Sequence, residues 1–72
     1  MILDSLKVLL SEYNINEYTV LDELPNWDSL VLLQFLISVE KEFKIEIPAE
    51  KVIKIKTIGD IIKIIEESNN AL

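Results

Sequence analysis

The chain has 72 residues and contains no cysteine, no histidine and no arginine. Without cysteine it has neither disulfides nor a thiolate nucleophile, and without histidine the commonest general base and the usual zinc ligand sets are missing too. The lack of guanidinium forks, with seven lysines against thirteen carboxylates and a net charge of −6, argues against a nucleic-acid partner. Only carboxylates, lysines and hydroxyls remain for catalysis, so a non-enzymatic role is expected. No run approaches the ~18 apolar residues of a membrane span, and no basic stretch precedes an apolar one as in a signal peptide. The expectation is a cytoplasmic protein without membrane association.

A single glycine and two prolines leave few turn positions, which favours helices joined by a small number of ordered loops. Half of the residues are hydrophobic, twelve of them Ile and eleven Leu, enough for one small domain over residues 1–72 without disulfide or metal. Leu3, Leu6, Leu10 and Tyr13 recur at three- and four-residue steps and predict a helix from about Ile2 to Tyr13. Asn14 to Asn26 shows no period and reads as a long loop pinned to the core by Ile15, Val20, Leu21 and Leu24. A second helix is expected from about Leu30 to Phe43, with Asp28 or Ser29 available to cap it. Lys44 to Pro48 reads as an extended link, and Pro48 opens a short helix near Ala49 to Ile53. Thr57 with Asp60 three residues on resembles a capping box, followed by Ile58, Ile61, Ile62 and Ile65 at helical spacing. Ser68 to Leu72 reads as a frayed tail. The fold class is therefore all-α: three main helices, one short helix and a long first loop.

Asp28-Ser29-Leu30 is the one candidate site that this layout displays, since a phosphate ester on Ser29 would sit at a helix start, where free amides and the dipole favour anions. The tripeptide itself is unspecific, because Asp4-Ser5-Leu6 repeats it inside the first helix. Ser29 as a plain capping residue is the competing reading. So is an unmodified interaction module in which the second helix binds a partner directly. Glu40, Glu42, Glu46 and Glu50 lack the loop pattern of a calcium site, so no metal is expected.

Four pieces in register, Leu24-Pro25-Asn26-Trp27-Asp28-Ser29-Leu30, Val39-Glu40-Lys41-Glu42-Phe43, Ile45-Glu46-Ile47-Pro48 and Thr57-Ile58-Gly59-Asp60-Ile61-Ile62, resemble the acyl carrier protein family over nearly the whole chain. The resemblance implies that Ser29 receives 4'-phosphopantetheine, derived from coenzyme A, from a phosphopantetheinyl transferase. It also implies that the arm's thiol carries acyl groups as thioesters between acyl-loading and acyl-using enzymes. Asp28 and Leu30 flank the attachment point, and Asp28 would help the transferase and its metal engage it. The absent cysteine then means only that the thiol arrives on a cofactor.

At about 100° per residue, Leu32, Leu33, Phe35, Leu36, Val39 and Phe43 gather on the second helix's core face, and Leu30, Val31, Gln34, Ile37, Ser38 and Lys41 on the opposite one. In typical bacterial fatty-acid carriers that outer face is acidic. Here none of its six residues is a carboxylate, so Leu30, Val31 and Ile37 are expected to form an apolar docking patch, selecting partners by shape and desolvation more than by charge. This departure, with Trp27 directly before Asp28, resembles stand-alone carriers of specialised pathways more than the housekeeping fatty-acid form. Leu36, Phe43, Ile45, Val52 and Ile53 are candidates to line an acyl-chain pocket, a closed core being the alternative. A monomer is expected.

Overall fold

The computed structural model describes the backbone of residues 2–70 and the side chains of residues 2–68. Four α-helices follow one another: α1 (Ile2–Leu9), α2 (Ser29–Phe43), α3 (Ala49–Val52) and α4 (Ile58–Asn70). The all-α class is as expected: no strand forms among the described residues, and extended pairing is limited to one isolated antiparallel bridge between Val20 and Thr57. Among the described residues no helix is long and apolar enough to cross a membrane.

The core collects one stripe from each long helix: Leu6 and Leu10 near α1, Phe35, Leu36 and Val39 from α2, and Ile58, Ile61 and Ile65 from α4, closed by Ile15 and Leu21 of the first loop. Leu6, Val39, Ile58, Ile61 and Ile65 have no exposed surface at all. Full burial of such a side chain contributes roughly 1.5–3 kcal/mol relative to leaving it in water, so these five anchor the bundle.

Helix α1 stops at Leu9, four residues short of the expected Tyr13. The tighter turn Tyr13 N–H to Leu10 carbonyl (2.9 Å) closes it, while the Tyr13 hydroxyl donates to the Pro25 carbonyl (2.9 Å) and ties the start of the long loop to its end. The loop is less irregular than its sequence suggests, because Leu21–Glu23 forms a turn of 3₁₀ helix with Leu21 buried. Of the four expected anchors, Ile15 and Leu21 are buried, Leu24 is half-buried and Val20 is exposed.

Helix α2 ends on Lys44 in the left-handed region (φ 55°), where the N–H groups of Lys44 and Ile45 both return to the Glu40 carbonyl. The Glu40 carboxylate also accepts the Ile47 N–H (2.9 Å), fixing the extended link that leads into α3. At the other end of the chain, the tail expected from Ser68 is helical through Asn70. Residues 71 and 72 lie outside the described residues.

Helix α4 opens with the expected capping box. Thr57 Oγ1 accepts the Asp60 N–H (3.2 Å), and Asp60 Oδ2 accepts the N–H groups of Thr57 (3.0 Å) and Lys56 (2.9 Å). Those backbone amides are the main reason that the Asp60 carboxyl lies below its ordinary value of 3.8. The first loop docks on this start: Ile58 N–H donates to the Thr19 carbonyl (3.0 Å) and Gly59 N–H to the Glu17 carbonyl (2.8 Å). A Cβ on Gly59 would stand 2.9 Å from that Glu17 oxygen, so close backbone approach explains the single glycine.

Candidate functional site

At the start of α2, Asp28 is the capping residue. Its backbone is extended (φ −146°, ψ −177°) and its Oδ1 accepts the Val31 N–H at 2.9 Å. Capping by Asp28 relieves Ser29 of that task. Ser29 is the first helical residue, it is exposed, and its hydroxyl makes no hydrogen bond among the described residues. The backbone N–H groups of Ser29 and Leu30 likewise have no acceptor there, while Leu32 N–H already reaches the Asp28 carbonyl (3.0 Å). A free hydroxyl therefore stands beside two free amide donors at the positive end of a 15-residue helix. A phosphodiester fits this position.

The second Asp-Ser-Leu copy is placed differently. Ser5 lies half-buried inside α1, next to the fully buried Leu6.

Trp27 holds the loop that delivers Ser29. Its ring packs edge-on against Tyr13 (centroids 6.0 Å apart) and Phe35 (6.1 Å), which supports packing at the core edge. Asn26, in the left-handed region at φ 61°, turns the chain from Pro25 into Trp27; asparagine tolerates that conformation better than most residues.

The outer face of α2 departs from the helical projection at its edges. Leu30, Gln34, Ile37 and Lys41 are exposed as expected, but Val31 and Ser38 are half-buried. Val31 borders a small notch of about 160 Å³ with Leu9, Leu10 and Phe35, on the side facing the end of α1. Leu33, expected in the core, is instead 52% exposed. The reason is the brevity of α3, whose four residues leave a groove of about 330 Å³ against α2. The exposed apolar strip thus consists of Leu30, Leu33 and Ile37, at steps of three and four, facing an 81%-exposed Ile53 across the groove. By projection Leu33 stands about 60° from Leu30, against about 100° for Val31, so the sequence held the signal that favours Leu33.

Of the five residues expected to line an acyl pocket, Leu36, Val52 and Ile53 line this groove. Phe43 and Ile45 pack on the core instead, and Leu33, Ile37, Glu40, Ile47 and Ala49 complete the lining.

Comparison with known proteins agrees with this geometry. Residues 27–65 match the family described as a phosphopantetheine attachment site. An acyl carrier protein of Wolinella succinogenes is 35% identical over 71 residues, covering 90% of this chain and 93% of that one. An acyl carrier protein of Helicobacter pylori is 41% identical over 44 residues, or 61% of this chain and 56% of its own. The chain belongs to the acyl carrier protein family. It is a carrier and not an enzyme, its cofactor is covalently attached 4'-phosphopantetheine, and its role brings it to a phosphopantetheinyl transferase and to acyl-handling enzymes.

Proposed function

We propose that Ser29 is the attachment residue and that residues 1–72 act as one carrier domain, a cytoplasmic monomer without membrane association. The observation that carries this reading is the uncommitted hydroxyl of Ser29, spared from capping by Asp28 and set beside the free N–H groups of Ser29 and Leu30. In the loading step, Ser29 Oγ forms a bond to the phosphorus next to pantetheine in coenzyme A. The pyrophosphate bond breaks, 3',5'-ADP leaves, and the hydroxyl proton passes to a base on the transferase. The free amides of Ser29 and Leu30 then face the anionic diester. Asp28 keeps Oδ1 on Val31 and has Oδ2 without a hydrogen bond among the described residues, open to the transferase's metal. The attached arm supplies the thiol that holds acyl groups as thioesters.

Leu30, Gln34, Ile37 and Lys41, flanked by Val31 and Ser38, form the face that partners meet, and Leu33 belongs with them. The apolar character of this strip supports service in a specialised biosynthetic pathway; housekeeping fatty-acid synthesis is the alternative. Growth of a strain that lacks its housekeeping carrier, supplied with this chain instead, decides the pathway: no rescue is expected, and full rescue contradicts the specialised role. The attachment is tested by intact mass after incubation with coenzyme A and a promiscuous transferase. One phosphopantetheine should add to the wild type and none to Ser29→Ala; an unmodified wild type, or an adduct on the variant, sinks the assignment.

A further inference from the structure

The lysines are distributed unevenly. Residues 1–28 hold six carboxylates and one lysine, whereas residues 44–63 hold five lysines and three carboxylates. Three of the five, Lys51 in α3, Lys54 just after it and Lys63 in α4, line a single cavity of about 340 Å³ together with Asp60 and Glu67. Among the described residues none of these ammonium groups forms an ion pair within 4.0 Å. The Asp60 carboxylate is directed to the backbone amides of Lys56 and Thr57. Helix α3 is the wall between this cavity and the apolar groove, since Lys51 faces one while Ala49 and Val52 face the other. Leu33, Ile37 and Ile53 thus line the groove on one side of α3, and the three lysines line the cavity on its other side.

We infer that Lys51, Lys54 and Lys63 form a secondary docking site for an acidic surface of an acyl-handling partner enzyme, adjoining the apolar strip on α2. This rests on the carrier reading above and names the partner's chemistry. A small anion is a poorer occupant, because inside the cavity it would meet the Asp60 and Glu67 carboxylates as well as the lysines. A broad acidic surface instead meets the lysine heads from outside. On a chain of net charge −6, such a patch repels basic surfaces locally and orients acidic ones, so it acts on partner choice and encounter rate.

The test is a titration of the isotopically labelled, phosphopantetheine-bearing protein with decaglutamate at low ionic strength, read by amide chemical shifts. Saturable shifts centred on 51, 54 and 63 are expected, weakened roughly tenfold by salt at about 0.3 M. They should vanish in the Lys51→Gln/Lys54→Gln/Lys63→Gln variant and persist in Lys7→Gln. No shifts, shifts spread equally over all seven lysines, or shifts surviving the triple variant overturn the proposal. The same shifts produced by raising protein concentration alone would give the site to a second copy and overturn it too. Repeating the titration on the unmodified chain keeps this outcome separate from any failure of the Ser29 assignment.

Discussion

Two helix starts in this molecule solve the same problem in opposite ways. Both α2 and α4 begin with backbone N–H groups that lack intrahelical partners. At α4 the chain satisfies them itself: Ile58 and Gly59 donate to carbonyls of the first loop, Asp60 donates to Thr57 Oγ1, and the Asp60 carboxylate binds two further amides. At α2 one carboxylate oxygen caps Val31, and the amides of Ser29 and Leu30 and the Ser29 hydroxyl are left without partners among the described residues. The hydroxyl at α4 is consumed in holding the fold, whereas the hydroxyl at α2 is kept out of it. The difference separates a structural serine or threonine from one available to chemistry.

The largest expected effect is on the closed start. Gly59→Ala sets a methyl 2.9 Å from backbone oxygen, and the loop must shift to make room, a loss of about 1–3 kcal/mol measurable by denaturant unfolding. Unchanged stability would mean that the loop is not fixed there. Thr57→Ala removes the capping hydroxyl and should lower stability by about 1 kcal/mol. Acid sharpens the contrast further. Because the folded carboxyl of Asp60 lies below its ordinary 3.8, its contribution is fully present above that value and disappears as pH falls through the lowered one. Thermal unfolding between about pH 6 and pH 2.5 should therefore show a steeper acid loss in wild type than in Asp60→Asn, and identical slopes would remove Asp60 from the account. The smallest effect belongs to the open start: Ser29→Ala should alter stability by no more than about 0.5 kcal/mol, since its hydroxyl holds nothing. A loss near that of Thr57→Ala would make Ser29 a structural residue after all.

The capping box was legible in the sequence because Thr57 and Asp60 act over three residues, and so was the all-α layout, because helical periodicity is local. Asp28 and Ser29 were legible as a pair, but which of them caps depends on backbone angles that only the folded loop defines. The early end of α1 was hidden because Tyr13 bonds to Pro25, twelve residues away. The exposure of Leu33 was hidden for a similar reason. The projection puts Leu33 close to Leu30, but how far it is exposed depends on how much of α2 the four-residue α3 covers, which is a tertiary property. The lysine notch joins residues from α3, the turn after it and α4, so the sequence showed the lysines but not their common cavity.

The most direct measurement of the central claim is fragment mass spectrometry on the loaded wild-type chain, which carries Asp-Ser-Leu at both residues 4–6 and 28–30. The account predicts phosphopantetheine only on the peptide that contains Ser29, with the peptide that contains Ser5 unmodified; an adduct on Ser5, or shared between the two, would contradict it.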